Sequence, residues 1–186
     1  MQESSPAMTR LCGTALGLFF SGRNAILSRL PIQDSNGDTK HEADDEWDHP
    51  CVKGGGVSIL RVPVKGAGQF LVPVANCHLC HWPYEAFINN ERLPTGPNGD
   101  AMHAVEAERK YTLPALTKLL SELKAVEAGC ASEGRVLGSL LCGDFNSVSH
   151  LDYFDHMGTD LQWPCTLACE AAGLEDTYAA ANPSDV

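Results

Sequence analysis

The sequence predicts a layered α/β domain, and three observations predict it. Short apolar runs bounded by turn-forming residues read as strands, and one long segment repeats leucine at helical spacing. The two kinds of segment then follow one another as helix, strands, helix, strand, helix, with no internal repeat and no low-complexity linker. At 186 residues the chain is long enough for one domain with a true core.

From the N-terminus, Ser5-Pro6 reads as a helix cap followed by proline in the first turn. The helix it opens is expected to run through Met8, Leu11 and Leu16 toward Gly17. Gly22 to Leu30 is apolar enough for a strand, closed by Pro31. Gln33 to Pro50, rich in Asp, Glu, Asn and Gly, reads as an exposed loop or insertion. Val57 to Val64 and Gln69 to Leu79 read as two strands joined in a hairpin across Gly66-Ala67-Gly68. Residues 83–100 hold three prolines, two glycines and three asparagines, so a second long loop is expected there.

Ala101 to Ala128 has a helical pattern. Leu116, Leu119, Leu120 and Leu123 define its apolar face, and Pro114 is expected to kink or split it. Val136 to Cys142 is a compact apolar strand ending at Gly143, and a last helix should start at Pro164 and end near Gly173.

The net charge is −11, from 13 basic and 24 acidic residues. A protein that grips nucleic acid through many phosphate contacts needs a basic surface, so nucleic acid is not favoured as a broad partner. A bound divalent cation can still supply positive charge at one spot. No apolar run is long enough to span a bilayer; Leu11 to Phe20 is too short and holds two glycines. The eight cysteines form no recognisable disulfide framework. Cys77, Cys80, Cys130 and Cys142 lie in or beside apolar runs, which favours reduced thiols and an intracellular setting.

The chemistry concentrates in Gly143-Asp144-Phe145-Asn146, directly after the buried strand. If the segment stays extended, Asp144 and Asn146 face one way and Phe145 the other. A carboxylate that holds a cation or water beside an amide that donates to a phosphate oxygen suits a phosphoester. The plain alternative is an Asp/Asn turn capping the next segment. Asn76-Cys77-His78-Leu79 ends another apolar strand, where a histidine suits protonation of a leaving oxygen or stabilisation of a charged transition state. A partly buried histidine satisfied by a backbone carbonyl is the alternative there. Glu3 in Gln2-Glu3 suits Mg²⁺ beside the first helix, and an ordinary chain terminus is the alternative there.

Taken together, Gln2-Glu3, Asn24 to Pro31, Val74 to Leu79, Gly143 to Asn146 and Asp176-Thr177-Tyr178 occur in the order found in the endonuclease/exonuclease/phosphatase family, which this chain resembles over essentially its whole length. The Ser149 to Asp152 segment resembles one branch of it. The resemblance implies a four-layer αββα sandwich of two mixed β-sheets and a metal-dependent phosphoester hydrolase using Mg²⁺ or Mn²⁺. It assigns metal binding to Glu3, a place near the scissile phosphate to His78, the attacking water to Asp144 and the phosphate to Asn146. Relatives carry a strand before the Gln-Glu pair and a Ser-Asp-His motif near their end. Here Met1 directly precedes Gln2, and Ser184-Asp185 is followed by Val186. The resemblance therefore implies one partial domain over residues 1–186, poorly stable and inactive alone. A non-catalytic remnant or binding module of the same shape is the alternative.

Other patterns carry less. Cys77-His78-Leu79-Cys80-His81 invites zinc, yet on a strand end Cys77 and Cys80 face opposite sides. Asp34, Asn36 and Asp38 open like a calcium loop, but Thr39 and Asp45 stand where glycine and glutamate belong. His150 and Asp152 suit either a pocket lining or a loop brace. Trp47, Trp82 and Trp163 are not interleaved with basic residues in the manner of a single-strand platform.

Overall fold

The structure, a computed structural model, describes residues 17–21, 24–28, 30, 32–34, 55–79, 105–147, 149–151 and 162–184. The helix expected after Pro6, most of the 33–50 loop with Asn36 and Asp38, the 83–100 loop, Glu3, Trp47, Cys80, His81, Trp82 and Asp152 lie outside the described residues.

The described chain is a mixed α/β arrangement built on one mixed sheet. Its centre is the hairpin of β4 (Gly55–Val64) and β5 (Gly68–His78), paired from Gly55↔Cys77 to Val64↔Gly68. The turn lies at Lys65 to Ala67, where Ala67 N–H donates to the Val64 carbonyl at 3.0 Å. Gly66 and Gly68 take φ of 80° and 86°, the left-handed conformations that let a short loop follow the strand twist. Glycine at both positions is what made this turn legible.

β3 (Ile32–Asp34) adds antiparallel to β4, with Ile32 opposite Leu60. On the other side, β6 (Arg135–Val136) and β7 (Leu140–Asp144) run parallel to β5. The single strand expected over Val136 to Cys142 is therefore broken, and its second half reaches Asp144. β6 pairs with Phe70 and Leu71 and β7 with Val74 onward, so the break falls opposite Val72 and Pro73. Proline brings no amide proton to a ladder, which accounts for an interruption at that point of a central strand.

Parallel strands need a crossover, and α1 (Leu113–Glu133) supplies it between β5 and β6. Leu116, Leu119, Leu120 and Leu123 are buried against Val57, Ala75 and Cys77, all on one face of the sheet. Ile59, Leu71 and Cys130 form a smaller cluster farther along the same face. Of the helix expected over Ala101 to Ala128, residues 101–104 lie outside the described residues, and residues 105–107 are helical. A π-helical turn, Glu108–Thr112, precedes α1, and Pro114 lies in the first turn of α1. The helical run is continuous from residue 105 into α1, and the π-helical turn lies just before the proline, which cannot donate to the ladder.

Gly17–Ser21 is a strand, β1, and it pairs antiparallel with β2 (Asn24–Ser28) from Gly17↔Ser28 to Ser21↔Asn24. One expectation in the N-terminal third is corrected: Gln33 and Asp34 belong to β3, where a loop was expected. Tertiary pairing overrode a weak local signal there: β3 is held by β4, and the β1–β2 hairpin lies against β3, β4 and β5. The sheet is thus covered on both faces near its centre, and Ser58 and Val74, opposite the α1 side, are buried. The cover stops short of β7. Leu140 shares the Val74 face and is 51% exposed.

Two short helices complete the description, α2 (Pro164–Ala171) and α3 (Thr177–Ala181). The first matches the expectation from Pro164. The second is capped by Asp176, whose carboxylate accepts from the Tyr178 and Ala179 amides at 2.9 and 3.1 Å. No disulfide joins the described cysteines Cys77, Cys130, Cys142, Cys165 and Cys169. Among the described residues no helix is long and apolar enough to cross a membrane.

Candidate functional site

The C-terminal ends of β5 and β7 lie side by side, and the ladder pairs Asn76 with Cys142, Cys77 with Gly143 and His78 with Asp144. Alternation along the strands puts Asn76, His78 and Asp144 on one face and Cys77 on the face packed by α1. The ladder runs one step further, where Leu79 N–H donates to the Asp144 carbonyl at 2.8 Å. Strand ends of this kind are where open α/β sheets gather ligand-binding groups.

His78 Nε2 lies 3.5 Å from Asp144 Oδ2, with the side chains 28% and 59% exposed. Both groups are therefore reachable from solvent. The approach depends on Gly143, which has φ 146°; a Cβ there would fall on the Cys77 carbonyl oxygen. Only glycine fits so close a backbone contact.

Asn146 does not continue the extended alternation. Its φ is 49°, its amide N–H donates to Asp144 Oδ1 at 3.0 Å, and its Nδ2 donates to the Leu79 carbonyl at 3.1 Å. This is an Asx turn, because a short polar side chain can close such a ring and tolerate the left-handed region. The expectation that Asp144 and Asn146 share a face by strand periodicity is corrected: the turn links them, not the pleat. Phe145 does pack against the core, as expected.

His78, Asp144 and Asn146 are thus connected, while Glu3 lies outside the described residues. Among the described residues no group of three His, Cys, Asp or Glu side chains converges as metal ligands. The described donors alone do not fit a complete divalent-cation site, and the expected metal site depends on Glu3. The zinc pattern also divides, since Cys77 and His78 occupy opposite faces. Burial, with smaller contributions from Cys142, Cys169 and Asp144, pushes the Cys77 thiol up to about 12. Such a thiol stays protonated and is a poor ligand or nucleophile.

His150 braces the loop to α2. Its backbone N–H and Nδ1 lie 3.0 and 2.9 Å from Thr166 Oγ1, and Nε2 lies 3.1 Å from Glu170 Oε2.

One residue was missed in the sequence. Glu108, in the π-helical turn, is fully buried, and its Oε1 accepts from Ser147 Oγ at 2.7 Å. A signal existed: Glu108 falls on the stripe of Val105, Thr112, Leu116 and Leu119, so helical periodicity alone turns it inward. Burial holds its carboxyl above the ordinary range, and Ser147 and Cys165 act in the opposite direction without cancelling that. A raised carboxyl pKa means that, as pH climbs through the window, the unfolded chain releases its proton first and native stability falls. Glu108→Gln has no proton to lose there. Urea midpoints should show the variant gaining on the wild type as pH rises above the ordinary glutamate range of about 4, whereas a constant difference would contradict the assignment.

No family model, no curated protein and no solved structure matches the chain.

Proposed function

We propose that this protein hydrolyses a phosphoester with the help of Mg²⁺ or Mn²⁺, on a four-layer αββα sandwich in the manner of the endonuclease/exonuclease/phosphatase family. The single observation that supports it most is the pairing of His78 with Asp144 at the ends of two adjacent parallel strands, 3.5 Å apart and open to solvent. The hairpin β1–β2 on the sheet face opposite α1 is in keeping with a second β-layer.

In this reading Asp144 orients the attacking water and accepts its proton while the water oxygen bonds to phosphorus. His78, beside it, donates to the phosphoryl or leaving oxygen as the ester P–O bond breaks. An amide nitrogen carries two N–H bonds; Asn146 gives one to the Leu79 carbonyl, leaving the other for a phosphate oxygen. Glu3 would hold the cation, which when bound neutralises charge developing on the phosphate. With a net charge of −11, the substrate is a small or locally held phosphoester rather than a long polyanion.

The test is hydrolysis of bis(p-nitrophenyl) phosphate by the full-length protein. Turnover should fall to background in EDTA and return on adding Mn²⁺ or Mg²⁺. EDTA-resistant turnover removes the metal, and absence of turnover at saturating cation leaves the non-catalytic binding module in its place.

A further inference from the structure

The turn that carries the site is held from two directions. From the strand ends, Asn146 is tied to Asp144 and to the Leu79 carbonyl. From the other side of the sheet comes the bond between Ser147 Oγ and Glu108 Oε1, at 2.7 Å. Glu108 lies just ahead of α1, the helix packed on the face away from His78 and Asp144.

A carboxyl with no exposed surface is an expensive choice for a helix face. Its second oxygen, Oε2, has no hydrogen-bond partner among the described residues, so the site is not optimised for the carboxyl's own comfort. An apolar residue of similar volume would pack the stripe at lower cost. What a carboxyl provides and an apolar residue cannot is an acceptor, for Ser147, the residue directly after Asn146, and toward Cys165 of α2. The backbone around it is also unusual, since π-helical turns recur where a side chain must be re-aimed for function.

We propose that Glu108 is a positioning residue: through Ser147 it fixes the Asp144–Asn146 turn, so that the carboxylate and amide of the site are preorganised from beneath the sheet. This rests on reading that turn as the hydrolytic site. Among the described residues, the groups facing Glu108 include Ser147 and, from α2, Cys165 and Cys169. Both bond partners are required, and the acceptor oxygen matters rather than the charge.

The test compares Glu108→Ala, Glu108→Gln and Ser147→Ala in the full chain by amide hydrogen exchange and by steady-state kinetics. Both alanine variants should raise exchange in the 144–147 peptide about tenfold, the effect of losing one hydrogen bond to an ionisable group, with α1 still protected. Their kcat should fall while KM stays near the wild-type value, and Glu108→Gln should restore both readouts because its amide oxygen still accepts. Unchanged exchange in Ser147→Ala overturns the inference, as does a Gln variant as impaired as Ala. Equal loss of protection in α1 and in the turn for Ser147→Ala also overturns it, since that marks a merely structural role. Should the wild type hydrolyse no phosphodiester, the hydrolase reading fails, and the exchange data still judge the positioning role separately.

Discussion

Asp144→Ala is expected to lower phosphodiester turnover by about a thousandfold, the loss typical of removing a positioned acid–base group. The chain should remain folded, because the side chain is more than half exposed and its structural contribution is one bond to the Asn146 amide. That bond contributes about 1 kcal/mol. Since Asp144 both closes the turn and faces His78, a second variant separates the two roles. Asn at position 144 keeps an acceptor oxygen for the Asn146 amide but carries no charge and takes no proton. The expected result is a folded, protected turn with turnover as low as that of the alanine variant. Near wild-type turnover in either variant would show that the carboxylate does no chemistry.

The largest effect on stability is expected at Gly143. A methyl group there would meet the Cys77 carbonyl oxygen and lie 2.8 Å from the Cys77 carbonyl carbon and nitrogen, at a φ of 146° that L-residues rarely adopt. Neither neighbour is a flexible side-chain tip, so relief requires moving β7 away from β5. That movement would break the ladder between Cys77 and Gly143 and pull Asp144 from His78. Gly143→Ala should therefore lose about 3 to 5 kcal/mol in urea unfolding, at the severe end for a single substitution. A loss below about 1 kcal/mol would mean that the strand end relaxes freely and that the pairing of His78 with Asp144 is soft.

Much of the scaffold was legible because its signals are local. The leucine spacing of α1 survives in the structure as a continuous buried face, and the β4–β5 hairpin follows from two strand-like runs and a glycine-rich turn. The site was legible in its members more than in its geometry. Gly143 to Asn146 stood out as a motif, yet strand alternation was the wrong rule for Asn146, whose side chain and backbone close a turn. Asp176 likewise stood out by resemblance, and the described structure gives it the work of a helix cap.

The sequence by itself determined the class of the domain, the main helix and the central hairpin, which follow from side-chain periodicity and backbone chemistry within a few residues. It also singled out the residues proposed to act on a phosphoester, by motif and resemblance. Only the tertiary structure decided that β1 and β3 are strands, that the strand before Asp144 breaks opposite Pro73, and that His78 meets Asp144 across a parallel ladder. It also decided that a glutamate below the sheet bonds the loop above it. Pairing across a sheet and burial of a charged group depend on contacts between residues distant in the chain, and local propensity carries no information about them.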